Sequence, residues 1–398
     1  MHRLAHQPWM IPAQRVMDTL EAARPGCARF VGGCVRNALL GEPVADIDIA
    51  TQLTPDRVEQ VMRAEGIAVH PTGIDHGTLT VVADHRPFEV TTLRRDVATD
   101  GRRAVVAFTT DWSEDAQRRD FRMNALYVDH QGAVHDPTGG GLDDVAARRI
   151  VFVGDPDTRI REDYLRILRF FRFQGWYARE APDAAGLEAC GRLRAGLAGI
   201  SAERIWMETK KLLAAPQPMP SLRAMEASGV LAQLFPEAKG LDLLDRLVTT
   251  EREDGAAADP MQRMLALFWK DEAAVREVSH RLKLSNEERH RLNRAAGDQS
   301  ALEGATPVQI RAAIYRSGVQ VVKDRAALAL AGSGAAHWRT VLSAADNWSS
   351  PTMPLTGADL LAAGLATGPM VGKALKTAEE AWISSDFSLG REALLRLI

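Results

Sequence analysis

Apolar positions along the chain first follow strand and helix spacings in alternation, and then helix spacing alone. Ile11, Val16, Met17, Leu20 and Ala23 recur at roughly helical period, and Pro25-Gly26 ends that helix. ARFVGGCV (28–35) reads as a short apolar strand running into Gly32-Gly33, and VRNALLG as a helix closed by Gly41. VADIDIAT (44–51) alternates in steps of two, which predicts a strand. TPDRVEQVMRAEG predicts a helix with Thr54 as N-cap, Pro55 in its first position and Gly66 as its stop. HGTLTVVAD and RPFEVTTLR alternate again and predict paired strands. QRRDFRMNALYVD predicts a helix passing into a strand, and DPTGGGLDDVAARRI a glycine turn followed by a closing strand.

From Arg159 onward the spacing is helical almost throughout, with breaks at Pro216–Pro220, Glu251–Pro260, Gly304–Pro307 and Ser349–Pro354. The expected class is α+β. A small mixed head over 1–150 precedes an all-helical neck (151–215), body (216–305) and tail (306–398). No internal repeat, heptad run or low-complexity tract interrupts this pattern.

Composition narrows the class of protein. The chain has 398 residues, 46% hydrophobic and 25% charged, which excludes a disordered or collagen-like chain. No stretch approaches 18 uninterrupted apolar residues, so no membrane span or membrane partner is expected. The N-terminus lacks a long apolar run of the secretory type. Cys27, Cys34 and Cys190 are too few and too scattered for a disulfide framework or a zinc cluster, which points to a reducing cytoplasm. Net charge is −3, yet 41 of the 49 cations are Arg and the first Lys is Lys210. GC-rich coding accounts for most of that bias. Arg is also the side chain that makes two-pronged contacts to phosphates.

The main chemical signal is the carboxylate pair Asp46 and Asp48. On a strand, residues two apart share a face and lie about 7 Å apart, so two carboxylates can converge on hard divalent cations. An exposed polar strand face would carry the same pattern. Gly32-Gly33, just upstream, lets backbone N–H groups approach a polyanion, and the helix that follows offers its N-terminus. Glu89 alternates with Phe88 and Val90. It could support the same cation site if its strand lies beside that of Asp46 and Asp48.

Taken together, FVGGCVRNALLG…ADIDIAT, EVTTLRRD, RRDFRMNALYVD, DPTGGGLDD, REDYLRILRFFRF and SAERI resemble the class II tRNA nucleotidyltransferases, the family of CCA-adding enzymes and bacterial poly(A) polymerases. These blocks span about 29–210, and GADLLAAGLATGPMVGKALKTAEEAW resembles the helical tail of the same enzymes. The resemblance implies a five-stranded nucleotidyltransferase head on a helical neck, body and tail. It also implies Mg2+-dependent transfer of nucleotides from CTP and ATP to a tRNA 3′-hydroxyl, with pyrophosphate released. By motif match, Asp46 and Asp48 would hold two metal ions. Gly32, Gly33 and Arg36 would contact the triphosphate, and Arg119, Asp120 and Asn124 would position the nucleotide. Asp163 and Arg166 would read the base, and Arg169 of the same block would also belong to the nucleotide-binding set.

The base-reading role has a physical rationale. Asp163 and Arg166 stand three apart in what reads as one helix and would share a face. A carboxylate accepts and a guanidinium donates, which suits the amino group and ring nitrogen of A and C and mismatches G and U. An ordinary surface salt bridge fits the same spacing. Two positions depart from the family pattern: Asn37 where Asp is usual, and Arg122 where Thr is usual. Gly139-Gly140-Gly141 resembles a hinge between head and neck, and Arg169 and Arg172 are candidates for an electrostatic RNA contact. CCA addition is the leading expectation, because the compact HPTGIDHGTLTVV segment and the absence of a basic C-terminal extension differ from the poly(A) polymerases. A poly(A) or partial-adding enzyme of the same family is the alternative, and an inactive RNA-binding protein the alternative of another class.

Overall fold

The computed structural model describes residue 4, residues 7–99 and residues 104–398, so part of the N-terminal segment read for a leader lies outside it. The chain divides into two compact units, Met1–Pro236 and Glu237–Ile398. Among the described residues no helix is long and apolar enough to cross a membrane.

The first unit is built on a mixed seven-stranded sheet in the order β3-β4-β5-β2-β1-β8-β9. Its strands are β1 (Ala28–Val31), β2 (Asp48–Thr51), β3 (Ala68–Gly73), β4 (Thr78–Ala83), β5 (Arg86–Thr92), β8 (Tyr127–Asp129) and β9 (Val134–His135). A separate two-stranded ribbon pairs β6 (Arg94–Thr99) with β7 (Ala104–Phe108). The sheet is wider than the five strands expected, because β3 and the short β9 extend its two edges. All neighbours run antiparallel except β2 and β5, which are parallel.

The period-2 patterning is realised in register. Leu79, Val90, Ile49, Phe30, Val128 and Val134 form one row across the sheet, and all are buried. The neighbouring row, Thr80, Glu89, Asp48, Val31, Tyr127 and His135, mixes polar with apolar side chains. Alternation therefore sets a core face against a face that can carry chemistry. Helices α1 (Gln14–Ala23) and α3 (Pro55–Ala64) pack on each other and on the sheet. Helix α2 (Gly33–Leu40) ends at Gly41, which has φ +72° as the sequence requires.

Two segments differ from the sequence reading. QRRDFRMNALYVD starts at the last residue of α4 (Trp112–Gln117) and passes through a single 3-10 turn at Arg122–Asn124 before β8. The glycine turn is followed by a helix, α5 (Gly141–Ala146), and not by a closing strand. Asp136 organises that turn by accepting from the backbone N–H groups of Gly139, Gly140 and Leu142. A Cβ on Gly141 would stand 2.6 Å from the Arg122 carbonyl oxygen. The turn is packed and pinned, which is not how a free hinge is built.

The rest of this unit is helical: α6 (Pro156–Glu162), α7 (Leu165–Tyr177), α8 (Ala184–Leu193), α9 (Ala202–Leu213), α10 (Pro218–Ala227) and α11 (Val230–Leu234). Helix α7 meets the head through an aromatic cluster. Phe121 lies 5.0 Å from both Phe152 and Phe173, and Phe152 stacks on Phe170 at 5.5 Å between ring centroids. Each such buried ring contributes about 2–3 kcal/mol through area burial alone.

The second unit is helical from Leu241 onward. One core gathers Ile310, Ile314, Val322, Leu330, Trp338 and Val341, and another Leu355, Leu360, Trp382 and Leu394. Trp206 in the first unit and Trp382 in the second are buried, as amphipathic spacing predicts.

Candidate active site

The site is assembled at the end of β1, the start of β2 and the middle of β5. Asp48 opens β2 and lies in register with Val31 on one side and Glu89 on the other. The conditional role of Glu89 therefore meets its condition: its strand is the immediate neighbour. Asp46 sits two residues before β2 begins and is exposed, whereas Asp48 is half-buried. The pair thus straddles the start of the strand, and Asp46 is held on irregular backbone. The core-facing residue between and beyond them is Ile49, which is fully buried; Ile47 is only partly so.

Burial, with the neighbouring Glu89 and Asp46, pushes the Asp48 carboxyl up to about 6, and Arg119 opposes the rise. No hydrogen bond among the described residues ends on the Asp48 carboxylate. Facing carboxylates with so little internal compensation fit a hard divalent cation, which would favour the ionised form. Asp46, Asp48 and Glu89 are the residues that would hold it. The described side chains do not form a preassembled cluster of three metal-ligating groups.

Gly32 caps α2 with φ +76°, a conformation that favours glycine. A Cβ there would point into the space between Arg119 Nη1, at 3.7 Å, and Asp48 Oδ2, at 3.9 Å. Gly33 begins the helix, with Arg36 Nη2 3.7 Å from its Cβ position. The first turn of α2 thus brings backbone N–H groups next to both a carboxylate and two guanidiniums.

Arg119 is held by a residue that the sequence reading missed. Asp115 is 1% exposed and accepts from Arg119 Nε (3.2 Å) and Nη2 (2.9 Å), from Arg118 Nε and Nη2, and from the Tyr127 hydroxyl at 2.7 Å. Burial works against its ionisation, but Arg119, Arg118 and Tyr127 overcome it and hold the carboxyl well below the usual range. Arg119 Nη1 is left facing Gly32. The signal was available: an Asp three and four residues before consecutive arginines shares their helical face.

Asp120 and Asn124 are engaged by side chains and backbone of the chain itself. Asp120 accepts from the Phe121 backbone N–H, from Asn124 Nδ2 and from Arg169, and Asn124 Oδ1 accepts from Arg36 Nη1 at 2.7 Å. Burial raises the Asp120 carboxyl, yet Arg169 and Asn124 together bring it down to about 2. Arg169 also approaches Glu208, which binds Arg172. Arg169 and Arg172 therefore face inward, each paired with a carboxylate, and do not form the free cationic patch expected for RNA.

Asp163 and Arg166 do not share one helix. Asp163 stands at the break between α6 and α7 with extended backbone, φ −156°. Its Oδ1 accepts the Leu165 N–H, a local side-chain contact that competes with helix continuation, and its Oδ2 accepts from Arg204 at 2.7 Å. Arg166 pairs with Glu162 and donates to the carbonyls of Arg159 and Arg118. The argument from shared helical spacing is overturned, and so is the simple salt-bridge alternative. Nε–H and one Nη2–H of Arg166 are not used in these bonds.

The two departures from the family pattern have structural explanations. Arg122 makes a two-pronged ion pair with Asp144, which is fully buried. Asn37 accepts from Arg36 and donates to the Pro43 carbonyl.

The chain is similar to known proteins over nearly its whole length. A family model for the "Poly A polymerase head domain" matches residues 28–151, and one for the "Probable RNA and SrmB- binding site of polymerase A" matches 183–241. The CCA tRNA nucleotidyltransferase 1, mitochondrial, of Danio rerio is 34% identical over 380 residues, covering 92% of this chain and 86% of the relative. The CCA-adding enzyme of Limosilactobacillus fermentum is 32% identical over 395 residues, covering 97% and 95%. The crystal structure of the Bacillus stearothermophilus CCA-adding enzyme in complex with CTP superimposes with a TM-score of 0.81 at 28% identity, covering 98% of this chain and 97% of that one. On the strength of these matches, the chain belongs to the class II tRNA nucleotidyltransferase and poly(A) polymerase family.

Proposed function

We propose that this protein adds C, C and A to the 3′ end of tRNA, using CTP and ATP and no nucleic-acid template. The observation that carries the reading is the register of Asp48 with Glu89 beside the Gly32 turn, in a chain that matches CCA-adding relatives over nearly its whole length. Asp46 and Asp48, with Glu89 in support, would hold Mg2+, which would supply neutralisation of the negative charge that builds up during phosphoryl transfer. Gly32 and Gly33 bring backbone donors to the triphosphate, and Arg119 Nη1 contributes charge at the same place. The tRNA 3′-hydroxyl attacks the α-phosphorus, a P–O bond forms, and the bond to pyrophosphate breaks.

Selection of C and A falls to Asp163 and Arg166, through their own edges and not through a common helix face. Asp163 retains acceptor capacity beyond its two bonds, and Arg166 retains Nε–H. Arg204 and Glu162 hold the two side chains in place. Asp120, Asn124 and Arg169 act from beneath the site, by fixing α7 to the head. We assign the activity to the cytoplasm, in keeping with three free, buried cysteines.

The test is incubation of the purified protein with tRNA lacking its 3′ end and each labelled nucleotide in turn. Incorporation of two C and then one A is expected. Unlimited A addition would identify a poly(A) polymerase, and tight tRNA binding without incorporation an inactive RNA-binding protein.

A further inference from the structure

Arg36 is 7% exposed, yet its acceptors among the described residues are all neutral. Nη1 donates to Asn124, Nε and Nη2 donate to Asn37 Oδ1 at 3.1 and 2.8 Å, and Nη2 also reaches the Tyr177 hydroxyl at 2.8 Å. The guanidinium further lies over the Tyr177 ring, 4.2 Å from its centroid. No carboxylate comes within ion-pair distance of it among the described residues; Asp120, an acid that influences it, is already bound by Arg169. A buried cation without a countercharge is unfavourable unless something else supplies one. This one sits under Gly33, at the first turn of α2.

We propose that Asn37 sets the affinity for the nucleotide triphosphate, by anchoring Arg36 without neutralising it and so leaving a buried positive charge beneath the Gly32-Gly33 turn for the polyphosphate to complete. The inference rests on the nucleotidyltransferase reading and deepens it. An Asp at 37, the usual residue of the family, would accept the same two hydrogen bonds but cancel the charge. It would also lose the 2.8 Å bond from Asn37 Nδ2 to the Pro43 carbonyl, so charge and geometry must be separated by experiment.

The probe is inorganic tripolyphosphate, titrated into the full-length protein by calorimetry in EDTA, with no RNA and no metal. N37D is expected to weaken binding about tenfold at low salt, with the loss shrinking as salt rises. N37A, which removes all three of these bonds but adds no negative charge, is expected to bind more tightly than N37D while melting at a lower temperature than the parent. Tripolyphosphate binding by N37D equal to that of the parent would overturn the proposal. So would N37A binding as weakly as N37D, which would assign the effect to geometry. Hydrogen exchange over residues 42–47 monitors the Pro43 contact separately. Failure of CCA incorporation in the parent protein would instead count against the function, and this assay does not depend on it.

Discussion

Arg119 is gripped from behind by Asp115, with Nη2 2.9 Å from the carboxylate, so that its other terminal nitrogen faces the Gly32 turn. The contact that orients the cation is thus made by a buried residue with no surface of its own. Asp115→Asn is expected to lower kcat/KM for CTP and ATP by about tenfold to a hundredfold, as a displaced transition-state donor does. It also leaves Arg118 and Arg119 without a countercharge, at about 3 kcal/mol of stability. Tyr127→Phe removes one hydrogen bond only, and is expected to retain most activity. Steady-state kinetics and urea unfolding on both variants check the ordering.

Asp48→Asn and Asp46→Asn are each expected to reduce incorporation by at least about a hundredfold. Their stabilities should diverge from their activities. The Asp48 carboxyl titrates near 6 in the folded chain, above its value of about 3.9 when unfolded. Folded protein therefore binds the proton more tightly, and this group weakens the fold as pH rises through that window. Removing its charge is expected to leave the metal-free melting temperature at pH 8 equal to the parent's or higher. A lower melting temperature would contradict the burial argument.

Asp120 behaves in the opposite sense. Its carboxyl is held down to about 2, so its contribution is complete above the unfolded value of about 3.9 and is lost as pH falls from about 4 through 2. Asp120→Asn is expected to cost roughly 2 kcal/mol at pH 7, and the gap to the parent should narrow below about pH 4 and close only at about pH 2 and below. Urea titrations at both pH values measure it.

Arg169→Ala and Arg172→Ala are expected to destabilise the protein while leaving the salt dependence of tRNA binding unchanged, because both cations are already paired with Asp120 or Glu208. A slope of log Kd against log salt reduced by about one unit would return them to the RNA surface.

Arg122→Thr is expected to destabilise this chain by about 3 kcal/mol, since among the described residues the buried Asp144 side chain would retain only the Arg149 contact at 3.2 Å. Double substitution with Asp144→Asn should recover much of the loss.

The strand–turn–helix order and the acids Asp46, Asp48 and Glu89 were legible, because period-2 alternation and glycine stops are local signals, whereas Asp115 behind Arg119 was not picked out. Asp48 and Glu89, 41 positions apart, meet through parallel pairing, which alternation allows but does not specify. The break at Asp163 was hidden, since REDYLRILRFFRF keeps helical spacing across it and only the Asp163 side-chain bond to Leu165 N–H reveals it. Burial was hardest to foresee. Asp120 and Asn124 have the chemistry of a nucleotide site and are spent on each other and on Arg36 and Arg169, a partnership that only tertiary packing decides.

The Tyr177 hydroxyl that meets Arg36 arrives from 141 residues downstream. Residues 28–151, the segment that matches a head-domain model, are therefore not a self-sufficient module: cut out alone, they would expose the Phe121 ring, which packs on Phe152 and Phe173, and strip a guanidinium of its aromatic lid. Chimeras that trade heads between enzymes of this kind should carry the splice past Tyr177, and the Glu208 helix with it, if the transplanted piece is to keep its shape.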